Sequence, residues 1–330
     1  MKLWRVALVC ALLLFPMGQV WADSWPGIGG LLQSAPIFSG SGCGPGDPAV
    51  PGWKADVQAG YFSTLNRAGI TLEARSEALA TDLLSVEHKF PVDGVVLGAS
   101  VNGPLTDALR LYARAAWFIP FSQKSAETYL FTTTGFGAAN FSFPGSRAWN
   151  AEVRWYTLEG ALGYPLGGGI DLVGGFRFDS FDTRFNNAAG IITIGGEGAD
   201  EADFTLTAYI PYVGFIMSQY PGLQVGLIGF PYVPAYAKQK EAYSGAFPGI
   251  ARDEYSGDLG SGYFLELFGE YKAQMGWGAL GIFGSWTSLQ TAGKVDARFF
   301  QVGFVAPDQD FELRFNRNHY TVGASFSAGF

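Results

Sequence analysis

The last eleven residues, 320–330, constrain the fold more than any other stretch of the chain. They read YTVGASFSAGF, so every second side chain from Tyr320 to Phe330 is apolar and the side chains between them are small or polar. A β-strand separates these two sets onto opposite faces, whereas a helix mixes them. About eleven residues is also the length of a tilted strand that crosses a bilayer. The pattern therefore predicts a membrane-spanning β-strand.

This segment resembles the final strand of bacterial outer-membrane barrels, in which a terminal Phe after alternating apolar residues is the sorting and assembly signal. The residues that match this signal are Tyr320, Val322, Phe326 and Phe330. The resemblance implies that the protein lies in the outer membrane of a Gram-negative bacterium. It also implies two partners, the lipid of that membrane and the barrel-assembly machinery.

Residues 1–22 have the pattern of a cleaved signal peptide. Two basic residues, Lys2 and Arg5, precede an apolar stretch, and Val20-Trp21-Ala22 fits a cleavage site. Without Lys2 and Arg5, the Lys and Arg count falls from 21 to 19 against 29 acids, so the formal charge moves from −8 to −10. An acidic chain argues against nucleic acid as a partner.

The remainder divides into two parts. Residues 23–50 are rich in Gly, Pro and Ser and have no sustained period, which predicts a flexible periplasmic segment. Its Cys43 has no second cysteine to pair with after the signal peptide is removed. Residues 51–330 hold no run of 18 apolar residues, and a closed β-barrel is the way for such a chain to satisfy its backbone hydrogen bonds in lipid.

From residue 51 onward, alternating segments come in pairs joined by short turns, which we place at 102–104, 165–169, 220–222 and 276–278. Polar segments between the pairs predict long external loops at 64–83, 122–146, 185–201, 238–258 and 294–311. Short periplasmic turns and longer external loops are typical of outer-membrane barrels. We therefore predict an all-β fold, an antiparallel up-and-down transmembrane β-barrel of about ten strands. Twelve strands remain possible if residues 68–76 and 297–305 each add one.

The alternation also distinguishes the lipid face from the lumen. Between Leu109 and Ile119, for example, the odd-numbered residues are apolar, whereas Arg110 and Arg114 fall on the other face and must point inward. Five cations and six acids share this inward set. A balanced set can neutralise itself across the barrel, or it can line a narrow pore. The predicted lumen residues are Lys54, Asp56, Arg110, Arg114, Glu159, Asp171, Arg177, Asp179, Glu266, Glu270 and Lys272.

The strand count, the mature length and local strings such as Pro211-Tyr212-Val213-Gly214 resemble the omptin proteases of the outer membrane. That resemblance implies a pair of Asp residues above the third strand and an Asp-His pair above the seventh, which together activate a water. Residues 122–128 here contain only one acid, Glu127, and residues 235–244 contain neither Asp nor His. We therefore predict no catalytic residues and no enzymatic activity.

The histidines, His88 and His319, are the only two in the chain, and we expect both to be solvated at the outer rim of strands two and ten. Two histidines without a cysteine pair make a zinc site unfavourable. A calcium site among the acids of residues 197–203 is the alternative to an acidic, solvated loop, and the loop is the simpler interpretation. We predict no metal and no cofactor.

These observations predict a non-enzymatic outer-membrane barrel whose long external loops serve a structural or surface-contact role. A narrow channel for small polar solutes is the first alternative. A barrel of about ten strands has a narrow lumen, but the strand number alone does not determine whether that lumen is open. An omptin-like protease is the second alternative.

Overall fold

The computed structural model describes residues 52–64, 68–76, 83–90, 92–121, 123–135, 139–191, 201–242, 250–275, 278–301 and 309–329. Within these ranges the chain is built of β-strands, and no helix in them is long and apolar enough to cross a membrane. The strands are β1 Lys54–Ser63, β2 Ala68–Ser76, β3 Leu83–Phe90, β4 Asp93–Thr106, β5 Leu109–Pro120, β6 Gln123–Gly135, β7 Ala139–Gly167, β8 Ile170–Ile191, β9 Glu201–Tyr220, β10 Leu223–Phe230, β11 Ala235–Ala242, β12 Ile250–Leu259, β13 Ser261–Met275, β14 Gly278–Gln301 and β15 Gln309–Gly329.

Ten of these strands close into a ring. Antiparallel pairing runs through β1, β4, β5, β7, β8, β9, β10, β13, β14 and β15, and β15 pairs back onto β1 from Lys54↔Gly329 to Ser63↔Tyr320. This closure confirms the predicted antiparallel barrel and its ten strands. A closed ring leaves no strand edge unpaired, which a barrel in lipid requires.

A second ring of ten strands continues the first. It consists of β2, β3, β6, β7, β8, β9, β11, β12, β14 and β15, so the two rings share five long strands. We call the ring that contains β1 the membrane ring and the ring that contains β2 the outer ring. Because β7 has 29 residues and a membrane strand needs only about 9–11, the shared strands reach far beyond one bilayer.

The chain passes from one ring to the other at short interruptions between the shorter strands, and hydrogen bonds continue across these interruptions. At the end of β1, the backbone nitrogen of Thr64 donates to the Val92 carbonyl at 3.0 Å, and the Val92 nitrogen donates to Thr64 Oγ1 at 2.8 Å. Between β10 and β11, Pro234 cannot donate to the ladder, but its carbonyl accepts from the Tyr209 nitrogen at 2.8 Å. The two rings are therefore joined as one continuous wall.

The predicted long loops are wrong over much of their length, because β2, β6, β12, part of β11 and the ends of the shared strands occupy those residues. Residues 68–76 are strand, as the alternative of twelve strands supposed, but β2 continues the line of β1 and adds no strand to the ring. Residues 297–301 likewise belong to the end of β14. Each ring therefore has ten strands.

The short turns lie at one end, which is the periplasmic end in barrels of this class. The turns at 168–169 and 221–222 confirm two predictions, and β13 ends at Met275 immediately before the third. The turn predicted at 102–104 is wrong: β4 runs to Thr106, and the turn falls at 107–108. Gly222 has a positive φ of 75°, which a tight two-residue connection requires of one of its residues.

The outer surface of the membrane ring is apolar, as predicted. Trp117 is 63% exposed there, whereas its neighbour Phe118 points inward and is 2% exposed. Other outward side chains of this ring include Val57, Leu97, Leu158, Leu172, Phe215, Tyr263, Ile282 and Val322. The last strand keeps the predicted faces, with Ser325 and Ser327 buried inside; Phe330 lies outside the described residues.

The outer ring has the opposite arrangement. Its interior is a packed apolar core, and charged side chains such as Glu152, Arg184 and Arg314 stand on its outer surface. Phe315 lies at the centre of this core, with its ring 5.3 Å from that of Phe181 and stacked at 5.7 Å on that of Phe204. The core includes Phe181, Phe185, Phe204, Leu206, Tyr255, Leu259, Leu289, Phe311, Leu313 and Phe315.

Candidate functional site in the barrel lumen

The lumen of the membrane ring gathers ten of the eleven predicted charged residues. Each of the ten is buried or half-buried on the inner face, and most contribute to one of three groups of contacts. The exception is Lys54, the first residue of β1, which is exposed at the end of the barrel. Their common parity along each strand thus brings these ten side chains to one face of the wall.

The first group lies nearest the periplasmic end. Lys272 Nζ is 2.6 Å from Asp56 Oδ1 and 3.1 Å from Glu270 Oε2, and Ser325 donates to Glu270. Ser100 Oγ donates to Asp56 Oδ2 at 3.2 Å. One ammonium thus serves two carboxylates, and hydroxyl groups satisfy the remaining acceptors.

The second group is centred on Asp171 of β8. Its Oδ2 accepts from Tyr112 Oη at 2.7 Å and from Arg110 Nη1 at 3.3 Å. Tyr112 has the same parity as Arg110 and Arg114 and is one of the two groups that hold this acid. Arg110 remains about one third exposed, so its charge stays in contact with the lower lumen.

The third group crosses the barrel at mid-height. Glu266 of β13 binds Arg177 of β8 and Arg114 of β5, the latter at 3.4 Å, and Arg177 also lies 3.6 Å from Asp179. Asp179 accepts two hydrogen bonds from Arg317, at 2.6 and 3.2 Å. The side chains of Arg177, Asp179, Glu266 and Arg317 are at most 1% exposed.

The Asp179–Arg317 pair determines how open the lumen can be. Asp179 lies on β8 and Arg317 on β15, and these strands are five steps apart in the ring of ten, so they face each other across the diameter. A bidentate pair between opposite walls fills the centre of the barrel at this height. The pair therefore crosses the lumen from wall to wall at mid-height.

An aromatic cluster covers this bridge on the side of the outer ring. The guanidinium of Arg317 lies 3.9 Å from the Trp155 ring, which in turn stacks on Phe118 at 3.5 Å. A weakly hydrated, planar guanidinium is the cation that tolerates such burial. The charged network and the apolar core thus meet at Arg317.

His319 belongs to the same cluster, so the prediction of a solvated histidine at the rim is wrong. It is 3% exposed, its ring packs edge-on against Trp155 at 4.7 Å, and it shares the inner face of β15 with Arg317 and Thr321. The other histidine, His88, is in β3, where Ile70 and Glu127 are its register partners; its side chain lies outside the described residues.

Sequence reasoning missed Arg317 and Trp155 as members of the site. Both could have been found by extending the alternation of β15 and β7 toward the outer end, since Arg317 keeps the parity of Thr321 and Trp155 that of Glu159. Four buried nitrogens in this region have no hydrogen-bond partner: Trp155 Nε1, Arg177 Nε, Arg317 Nε and His319 Nδ1.

Below this cluster lies a cavity of about 140 Å³. It extends from Asp56 near the periplasmic end to Phe118 and His319 at mid-height, and both Arg114 and Glu159 contribute to its wall. Glu159 Oε1 accepts from Tyr212 Oη at 2.7 Å. In the part of the chain that the structure describes, no group of three or more His, Cys, Asp or Glu side chains is placed to hold a metal ion. The acids around residue 197 lie mostly outside it.

The closed ring, the apolar outer band and the polar lumen define an outer-membrane β-barrel. The outer membrane protease OmpT from Escherichia coli has a similar structure, with a TM-score of 0.60 at 11% identity over 84% of this chain and 97% of that chain. At this identity the likeness shows the fold alone, and it bears out the predicted omptin-like strand layout.

Two other solved structures align with lower TM-scores. The outer membrane protein OprG from Pseudomonas aeruginosa aligns over 84% of this chain and 96% of that chain at 9% identity and a TM-score of 0.34. A Pseudomonas aeruginosa FadL homologue aligns over 84% and 90% at 8% identity and a TM-score of 0.29. No family model and no curated protein sequence matches the chain.

Proposed function

We propose that the protein is a non-conducting, non-enzymatic outer-membrane barrel that presents its outer ring and external connections as a surface for contact. The observation that carries this proposal is the Asp179–Arg317 pair, which joins opposite walls of the lumen. A barrel that is filled at mid-height cannot pass a hydrated ion without breaking that pair.

The energetics of the bridge favour permanent closure. A buried charge that loses its partner is costly: removal of one member of a buried pair destabilises a protein by about 3–5 kcal/mol. The Trp155 ring covers the Arg317 guanidinium, and the core around Phe315 adds a second, apolar layer toward the outer end. Transport through this route would require both layers to rearrange.

The outer ring supports the proposed contact role. Its five shared strands continue well past the length that a membrane needs, and their outward side chains include charged pairs such as Arg184 with Glu201 at 3.3 Å. A polar exterior of this kind is suited to water and not to lipid. We infer that this ring stands outside the bilayer and holds the external connections away from it.

Omptin-like proteolysis is the less favoured alternative, because residues 235–244 contain neither the Asp nor the His that the resemblance implies there. The described inward residues of that strand are Ala235, Ala237 and Gln239, and none of them can act as a general base at neutral pH. Glu241 has the same parity, and its side chain lies outside the described residues. Glu127 is paired with His88 in register, and the side chains of both lie outside the described residues. We expect purified protein to leave peptide substrates of OmpT intact.

A narrow channel is the second candidate, because the cavity of about 140 Å³ occupies the periplasmic half of the lumen. Planar-bilayer recording distinguishes the two functions. Protein whose folded state is confirmed by heat-shifted gel mobility is expected to insert without conductance steps. Reproducible steps that disappear in an Arg110→Gln/Arg114→Gln variant would contradict a closed lumen and establish the channel.

A further inference from the structure

Two neighbouring strands of the outer ring carry a histidine and an acid at facing positions. His88 of β3 is the register partner of Ile70, and Glu127 of β6 is the partner of His88. Ile70 in turn pairs with Phe315, which is fully buried in the core of the outer ring. Directly opposite residues of antiparallel strands share a face of the sheet. His88 and Glu127 are therefore placed on the inner face.

A second pair lies on β11 and β12. Glu241 is the register partner of Asp253, and each keeps the parity of a buried residue two positions away, Gln239 and Tyr255 respectively. Both positions therefore belong to the inner face as well. The side chains of all four residues lie outside the described residues, so their placement is that of the backbone alone.

The Asp179–Arg317 bridge shows which positions meet across the barrel. Register partners lead from Asp179 through β9 and β11 to Leu259 of β12, which lies beside Gly293 of β14, and Gly293 pairs with Leu313 of β15. Asp179 nevertheless meets Arg317, which is four positions beyond Leu313 toward the periplasmic end. The stagger of the strands thus offsets opposite walls by four residues over the five steps between them.

The same stagger brings the two pairs to one height on opposite walls of the outer ring. Register partners lead from Asp253 through β11, β9, β8 and β7 to Gln123 of β6, which is again five steps. The position four residues from Gln123 toward the outer end is Glu127. Because His88 is the partner of Glu127, and Glu241 is the partner of Asp253, the first pair lies across the ring from the second.

The charges brought together at this height favour a divalent cation. Arg147, the register partner of Glu127, adds one guanidinium to the same face. Three carboxylates and one guanidinium leave two negative charges next to a core of apolar side chains, where unpaired carboxylates are costly. A divalent metal ion balances both charges, and neutral His88 offers it a nitrogen. Imidazole nitrogen together with carboxylate oxygen is a ligand set of zinc.

We propose that the outer ring binds one zinc ion between His88 and Glu127 on one wall and Glu241 and Asp253 on the other. Asp179 and Arg317 meet across the barrel because arginine is long. His, Glu and Asp are shorter, and an ion that both walls bind fills the remaining gap. The zinc thus ties β3 and β6 to β11 and β12. This inference goes beyond the proposed surface-contact role, and it differs from the prediction of no metal that the sequence supports.

Zinc titration of the untagged, folded protein in micelles tests the proposal, with Cys43 replaced by serine so that its thiol cannot bind the metal. We expect isothermal titration calorimetry to give one zinc ion per chain. Zinc should also raise the thermal unfolding midpoint more than calcium does, because calcium takes oxygen ligands and gains nothing from His88. No zinc binding by the folded protein, or equal shifts with the two metals, would overturn the proposal.

Substitutions at the proposed ligands locate the ion. His88→Gln and Asp253→Asn should each weaken zinc binding at least about tenfold, since even the loss of a group behind a ligand costs about 10–100-fold. Glu241→Gln keeps the shape of the side chain and serves as the test if His88→Gln does not fold. Glu87→Gln and Glu254→Gln are the matched controls, because each is adjacent to a proposed ligand with the opposite parity. Equal losses in the controls and the ligand variants would place the zinc on the outer surface and contradict the site.

Discussion

The membrane ring and the outer ring use the same long strands with opposite faces turned inward. On β8, Asp171 and Arg177 point into the membrane ring while Phe176 points outward. Further along the same strand, Phe181 points into the outer ring while Arg184 points outward. The alternation of period two continues through both regions. The inner face is polar in the membrane ring and apolar in the outer ring, and the outer face has the opposite character.

This difference shows that the surroundings, and not the barrel, determine what fills the interior. Lipid solvates apolar side chains, so the membrane ring gains little from burying them and can hold polar groups inside, provided that each is paired. Water surrounds the outer ring, so the hydrophobic effect places Phe and Leu inside it. The exchange occurs at Arg317, whose guanidinium is bound to Asp179 on one side and packed on Trp155 on the other.

The largest expected effect comes from the charged bridge. Asp179→Ala leaves Arg317 and Arg177 buried with one acid fewer, and removal of one partner from a buried pair lowers the free energy of unfolding by about 3–5 kcal/mol. Urea unfolding in micelles, followed by heat-shifted gel mobility, measures the loss.

Asp182→Ala is the matched control for that variant, since Asp182 lies three residues along the same strand on the outer face and is only half-buried. A surface substitution of this kind changes the free energy of unfolding by about 0.5 kcal/mol or less. Equal losses for the two variants would contradict the account, because they would show that the Asp179–Arg317 bridge stabilises the protein no more than an outward-facing Asp on the same strand.

The apolar core gives the next effect. Phe315→Ala removes a fully buried ring that contacts Phe181 and Phe204, and such truncations lower the free energy of unfolding by about 3–5 kcal/mol. Phe176→Ala, on the membrane ring, exposes a position that lipid can fill, so we expect a clearly smaller loss in the same assay. A similar loss at both positions would contradict the assignment of one ring to water and the other to lipid.

A single strand allows a sharper comparison of the two outer surfaces. Leu158 is 51% exposed on the membrane ring, so Leu158→Arg places a charge in lipid and should cost about 2–4 kcal/mol near the bilayer midplane. Glu152→Arg, six residues earlier on β7, makes a charged substitution on the outer ring and should change the free energy of unfolding little. Refolding into phospholipid bilayers, with unfolding by guanidinium, measures both.

The smallest effect is expected for an exposed ion pair. Arg184 lies 3.3 Å from Glu201 and 3.7 Å from Asp203, but more than half of each side chain is exposed. Pairs of this kind contribute about 0–1 kcal/mol and are weakened by salt. Arg184→Gln should therefore leave the unfolding midpoint almost unchanged. A loss as large as that of Asp179→Ala would mean that this surface is covered by a partner.

The sequence predicts the membrane ring well because its alternation has the polarity expected of a barrel in lipid. Asp171, Arg177 and Asp179 all have the same parity, and their charges are too costly to place in lipid, so they must face the lumen. The same reasoning fails for the outer ring, where residues 311–316 read FELRFN. Their period is also two, but the polar residues point outward. The prediction placed Phe311 at the end of a loop and began the last strand only at Tyr320.

The contacts across the lumen could not be predicted from the sequence. Asp179 and Arg317 are separated by 138 positions, and parity shows only that both point inward. Which inward residues meet depends on the number of strands and on the stagger between them. His319 was placed at the rim because the last strand was predicted to begin at Tyr320, whereas β15 begins at Gln309.

The most direct test of the two-ring account is a cysteine scan along β7 in cells, with Cys43 replaced by serine and a membrane-impermeant maleimide as the label. Labelling at positions 152 and 154, with protection at 151, 153 and 155 by the core and at 158, 160 and 162 by lipid, is the predicted result. Labelling at 151 and 153 would contradict the account, because it would mean that water fills the outer ring.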